Sequence, residues 1–225
     1  MNKNIELITW KSHHEDYLLN IFSNCLDLNL HGISINGSNI DFVCENFLPT
    51  PNIGLNLDSY FAFHNPDIRI IILKEYLKKY KSYIKYINFC PVFNSLSNWN
   101  IKKINEDFKN VSYTCLNNNV ESRLFLDINY FDNDILYKLA NLAEQNKISR
   151  LVLGSFSSQS FEINDILLNI NRIKKELSIK TGIFGNITED QIKTYGYFKD
   201  IDSGKINDII FMKNKNISSI NFDSV

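Results

Sequence analysis

The 225-residue sequence predicts an α/β fold, a (β/α)8 TIM barrel, and three observations carry that prediction. Short apolar runs of β character recur along the whole chain. Most begin roughly 26 to 32 residues apart, enough for a strand, a helix and two turns. The segments between them repeat apolar residues with helical period. An open doubly wound sheet is the alternative arrangement, but no GxGxxG or Walker pattern follows any of the runs.

Eight runs fit strands: Ile5–Ile8, Gly32–Ile35, Tyr60–Phe63, Tyr86–Cys90, Arg123–Asp127, Arg150–Gly154, Gly182–Gly185 and Asp208–Met212. Tyr17, Leu18, Ile21, Phe22 and Cys25 form one helical stripe after the first strand. Residues 70–80 are apolar at first and Lys-rich later, as in a helix with one buried end. The interval between Cys90 and Arg123 is longer and has room for an extra segment around Val111–Cys115. Ile135, Leu136, Leu139, Ala140, Leu142 and Ala143 share a face, with Asp132 placed as N-cap. Ile163, Ile166, Leu167, Ile170, Ile173 and Leu177 share another, and Thr188–Gln191 reads as a capping box opening a helix. No linker divides the chain, so residues 1–212 are expected to form a single barrel and residues 213–225 a polar tail.

Composition narrows the function classes. With 24 basic and 25 acidic residues the net charge is −1, so no overall field draws the chain to nucleic acid or an anionic membrane. The Lys78, Lys79, Lys81 group reads as a solvated helix end. No apolar run reaches the ~18 residues of a membrane span, and the N-terminus lacks a signal-peptide core. The four cysteines, Cys25, Cys44, Cys90 and Cys115, lack metal-ligand spacing and read as reduced thiols, which places the chain in the cytoplasm. His13 and His14 are adjacent and cannot share a helix face, so no metal is expected; no cofactor motif is present either.

In a barrel, chemistry gathers where strands end. The ends supply Asn36, His64, Asn88, Asp127, Ser155, Ser157, Gly185, Asn186 and Lys213, a polar but mostly uncharged rim suited to hydrogen-bonding a ligand. Asp127 and His64 are the acid–base candidates, against helix capping or ion pairing for Asp127 and a loop role for His64. The Ser155–Ser160 cluster lacks the GxSxG elbow.

In register, the chain resembles the deoxyribose-phosphate aldolase family over nearly its whole length. Ile33–Gly37 stands where that family has a V-C-V-N-P-like strand end. Phe61–Asn65, followed by Ile72–Glu75, stands where it has G-F-P-x-G and K-x-x-E, with Glu75 at the Glu. Tyr83–Asn88 falls on G-A-D-E-I-D, Leu124–Ile128 on I-x-E-T, Leu151–Ser157 on F-I-K-T-S-T-G and Thr181–Thr188 on V-K-A-S-G-G-I-R. The resemblance implies a barrel that handles a small phosphorylated sugar through a lysine Schiff base. It also places Leu153 at the imine-forming lysine, Gly182 at the second lysine and Asn88 at the proton-transferring aspartate. Leucine cannot form an imine, and asparagine cannot accept a proton near neutral pH. Ile210–Lys213 replaces the phosphate-binding glycine turn.

The expectation is therefore a barrel that has lost Schiff-base chemistry and serves binding, structural or regulatory ends. The alternative is an active carbon–carbon lyase with a relocated amine, Lys180 or Lys213, working with Asp127. Lys180 would share the inward side of its strand with Gly182. The expected partners are a small phosphorylated sugar, a protein or a second copy of the chain, and Pro91–Trp99 is the candidate apolar contact patch.

Overall fold

The structure is a computed structural model that describes residues 4–9, 14–27, 31–47, 52–57, 65–156, 163–185 and 208–212. Eight parallel strands close into a barrel in chain order: β1 Asn4–Ile8, β2 Gly32–Asn36, β3 Asn52–Asn56, β4 Ile84–Phe89, β5 Glu121–Asp127, β6 Arg150–Gly154, β7 Lys180–Gly185 and β8 Asp208–Met212. β8 closes the ring on β1 through Asn4–Asp208 to Ile8–Met212. The helices described are α1 Glu15–Asp27, α2 Ile40–Asn46, α3 Pro66–Tyr80, α4 Phe93–Ser97, α5 Ile101–Leu116, α6 Asn133–Gln145 and α7 Ile163–Lys174.

Local chemistry explains the helix starts. The Asn65 side chain accepts from the Asp67 N–H at 3.0 Å, and Pro66 sits in the first turn of α3, where its missing N–H costs nothing. Asp132 accepts from the Ile135 N–H at 2.8 Å and starts α6, as the sequence predicts. The long interval before β5 holds two helices, α4 and α5, so Val111–Cys115 is part of a helix.

The third strand differs from expectation. It is Asn52–Asn56, and Tyr60–Phe63 lies outside the described residues. Asn52, Gly54 and Asn56 alternate with Ile53 and Leu55, so this strand carries few apolar residues and reads as a turn. Its inward positions are small or polar because they meet side chains from other strands. A Cβ on Gly54 would stand 2.0 Å from the Tyr86 ring, and one on Gly32 would stand 2.2 Å from the Tyr86 hydroxyl.

Alternation along each strand sorts side chains between two compartments. Leu7, Ile33, Ile35, Leu55, Ile87, Leu124, Leu126, Leu151, Leu153 and Ile183 join one apolar cluster with helix residues such as Phe22, Leu73, Phe108, Leu139 and Ile170. These strand residues face the helical shell. The opposite parity fills the barrel. At its N-terminal end the Arg123 guanidinium reaches across from β5 to Glu6 on β1 at 2.7 Å, and its Cζ lies 3.5 Å from the Tyr86 ring centroid. Arg150 stands in register with Arg123, and both guanidiniums lie within 3.7 Å of Glu121. Burying these charges is tolerable only because they are paired.

Candidate functional site

Above the charged layer lies an uncharged polar one. The Asn88 amide donates to Ser34 Oγ at 2.8 Å and to Asn56 Oδ1 at 2.9 Å, and the Asn56 amide donates to the Thr9 carbonyl at 2.6 Å. This chain links β4, β2, β3 and the end of β1, and its four residues are almost fully buried. Asn88 Oδ1 has no hydrogen-bond partner among the described residues.

Toward the C-terminal mouth the interior turns apolar. Ile8, Phe125, Val152, Phe184, Cys90 and Val92 form a separate cluster, with Phe156 packed on it. The Phe125 and Phe184 rings lie 5.0 Å apart edge to face, and Phe156 lies 4.7 Å from Phe184. Gly154 is glycine because a Cβ there would stand 1.8 Å from the Phe184 carbonyl oxygen. The mouth on the β5–β7 side is thus filled by aromatic rings rather than left as a polar cavity.

Asp127 closes β5 at this rim and is 3% exposed. One carboxylate oxygen accepts from the Asn129 N–H at 2.8 Å and the other from the Phe156 N–H at 2.7 Å. The Asn129 amide in turn donates to Ser155 Oγ at 2.7 Å. The group ties the loop after β5 to the loop after β6. Burial pushes its pKa above the usual carboxylate value, against the pull of the Phe156 and Asn129 N–H bonds.

Beside the barrel axis, between the ends of β4 and β5, is a pocket of about 280 Å³. Cys90, Pro91, Leu96, Trp99, Phe125, Asp127, Tyr130, Phe131 and Phe156 are among its walls. Among its described side chains, Pro91–Trp99 turns its apolar residues to this pocket or to the interior. Val92 and Ser95 are buried, and Leu96 and Trp99 are half-buried against the mouth.

The other predicted residues divide sharply. Leu153 is fully buried, but it faces the helical shell, in register with Leu126 and Ile183. It cannot hold the place of an amine that projects into the barrel. The inward residues of β6 are Val152 and Gly154, one position to either side. Lys180 has the inward parity, yet it opens β7 at the N-terminal end, exposed and in register with Arg150. Asp127 pairs with Gly154, four residues further along β6. At ~3.3 Å per residue the two are separated by roughly 13 Å along the strands, so Lys180 and Asp127 do not share a site. Gly182 faces inward beside Val152, and Gly185, with φ 145°, ends β7. Asn36 turns its side chain onto Ser38, accepting from its N–H at 3.0 Å and its hydroxyl at 2.9 Å, and so caps a short 3-10 turn. Ser155 is buried beneath Asp127. Glu75 is exposed on α3. His64, Ser157, Asn186, Lys213, the Thr188–Gln191 capping box and the 213–225 tail lie outside the described residues.

Among the described residues no cluster of His, Cys, Asp or Glu has metal-binding geometry, and no helix is long and apolar enough to cross a membrane. Cys44, Cys90 and Cys115 form no disulfide; burial pushes Cys115 up to about 12, and burial with Asp41 nearby pushes Cys44 up to about 11.

No family model matches this sequence, and no curated protein matches it. Solved structures do. QR15, an aldolase, superposes with a TM-score of 0.73 at 12% identity, covering 93% of this chain and 89% of that one. A deoxyribose-phosphate aldolase from Coccidioides immitis gives 0.75 at 11% identity, covering 92% and 80%. The 3-hexulose-6-phosphate synthase from Salmonella typhimurium gives 0.65 at 11% identity, covering 93% and 88%. The fold is that of the aldolase-like barrels. At these identities the likeness establishes architecture and leaves the chemistry to the residues of the site.

Proposed function

We propose that this aldolase-like barrel is related to the deoxyribose-phosphate aldolases, does not carry out Schiff-base chemistry, and uses its C-terminal mouth to bind. The observation that carries the reading is the identity of the inward residues on β6 and β7: Val152 and Gly154 on one, Gly182 and Phe184 on the other. An imine requires a lysine amine projecting into the mouth. Correcting the register by one residue, from Leu153 to its inward neighbours, still brings no amine there. Asn88, at the position that the resemblance gives to a proton-transferring aspartate, serves instead in a hydrogen-bonded chain. Groups that act as a unit fail together, so these replacements argue for loss of turnover rather than a slower version of it.

Borohydride reduction in the presence of acetaldehyde, glyceraldehyde 3-phosphate or deoxyribose 5-phosphate tests the proposal, with intact mass as readout. The expected result is an unmodified chain under each condition. A substrate-dependent adduct mapped to one lysine, for example Lys213 directly after β8, would establish the active-lyase alternative instead.

A further inference from the structure

We infer that the pocket between the ends of β4 and β5 binds a small, neutral aromatic molecule of about two fused rings. This deepens the reading of the mouth as a binding surface and names its ligand class. Volume sets the size. An apolar cavity of about 150 Å³ holds one benzene ring, and this pocket measures about 280 Å³. Its walls set the chemistry. They are largely apolar, with Trp99, Phe131 and Phe156 among them, and no described wall residue is basic. A phosphate would sit among largely apolar walls and beside the Asp127 carboxylate, so an anionic sugar is disfavoured.

Cations are disfavoured for different reasons. The oxygens of Asp127 already accept the Asn129 and Phe156 N–H groups, which leaves an ammonium ligand poorly served. The Lys138 amine already lies 5.9 Å from the Trp99 ring centroid and would repel a second cation at that ring. A neutral ring system remains, gaining aromatic contact and loss of water-exposed area.

The end of α4 sets the position of one wall residue. Trp99 has φ 44°, a left-handed backbone that bulky residues rarely adopt. Its N–H donates to the Leu96 carbonyl at 2.8 Å and its carbonyl accepts from the Ile101 N–H at 2.9 Å, so the turn is held. Glycine would take this conformation without strain. The Trp99 bond to Leu96 and the Asn100 N–H bond to the Ser95 carbonyl form the cap that ends α4; the same two bonds at Asn119–Val120 and Lys147–Ile148 end α5 and α6, so the conformation is a helix cap that sets the half-buried indole on the pocket wall.

The test uses the full chain, with 2-naphthol as probe and saturation-transfer NMR as readout. Ribose 5-phosphate and tetramethylammonium serve as competitors. Saturable binding of 2-naphthol is expected, insensitive to both competitors and weakened about tenfold or more in Trp99→Gly. Phe131→Leu, on the same wall, should weaken it as well and covers the case in which the first variant fails to fold. Absence of saturable binding, displacement by either competitor, or unchanged affinity in a folded wall variant would each overturn the inference. A borohydride adduct would remove the loss-of-turnover reading while leaving the naphthol result standing, and naphthol failure would leave the trapping result untouched.

Discussion

Asp127 offers a choice between a structural latch and an acid–base group, and Asp127→Asn separates them. The carboxylate accepts one N–H on each oxygen, from Asn129 at 2.8 Å and from Phe156 at 2.7 Å. An amide has one acceptor oxygen, so the substitution leaves one of these N–H groups facing an NH2. A buried donor without a partner costs about 1–3 kcal/mol. At about 2–4 °C per kcal/mol for a chain of this size, the expected loss in Tm is about 2–12 °C. The pH dependence adds a second readout. Burial raises the folded-state pKa of Asp127 above its ordinary value. The stability contributed by protonation is therefore fully present below the unfolded value and is lost as pH rises through the folded one. The Asn variant lacks that titration. The stability gap between the two proteins, from urea melts across the acid range to neutrality, should therefore be widest in acid and narrow as pH rises. A gap that widened with pH would refute burial as the dominant influence on this group. A variant as stable as the parent at neutral pH would refute the latch itself.

Two further substitutions test how the barrel is filled and how the pocket wall is held. Gly54→Ala places a Cβ 2.0 Å from the Tyr86 ring and 2.5 Å from Ser34 Oγ, and overpacking of this kind costs about 1–3 kcal/mol or more, read as a lower urea midpoint. Asp107→Ala strands the buried Arg69 guanidinium, which lies 2.7 Å from that carboxylate and 2.8 Å (through its other terminal nitrogen) from the Cys90 carbonyl; the expected cost is about 3–5 kcal/mol by chemical denaturation, and a loss below about 1 kcal/mol would show the pair to be dispensable.

Most of the strand order was legible because short apolar runs alternating with helical stripes fit little besides a strand–helix repeat. The third strand was not. Asn52, Gly54 and Asn56 look like turn residues until Tyr86 and Asn88 are known to lie across from them, and that contact spans more than thirty residues of sequence. The parity of β6 was hidden for another reason. A strand buried on both faces shows no alternation of polarity, so RLVLG does not announce which of Val152 and Leu153 looks inward. A clue was present nonetheless. Arg123 and Arg150 each open an apolar run, and Glu6 lies in another; long charged side chains in adjacent buried strands pair most readily inside the barrel, which fixes Phe125, Asp127, Val152 and Gly154 as inward too. The pocket left no sequence signal, since its walls come from two strand ends and the loops that follow them.

Among the described residues, layers of side chains occupy the axis of this (β/α)8 barrel. The N-terminal end is occupied by the Glu6–Arg123 pair and Tyr86, the middle by the Ser34–Asn56–Asn88 chain, and the mouth on the β5–β7 side by Phe125, Val152 and Phe184. Within each layer charge meets charge, amide meets amide and ring meets ring, while Glu6 Oε1 and Asn88 Oδ1 keep no hydrogen-bond partner among the described residues. A substrate entering such an axis would have to displace some of the contacts that hold the strands together. A ligand beside the axis displaces none of them. There the same Phe125 and Phe156 that fill the mouth turn part of their surface to the pocket, so the packing that closes the barrel also builds the wall of its neighbouring cavity.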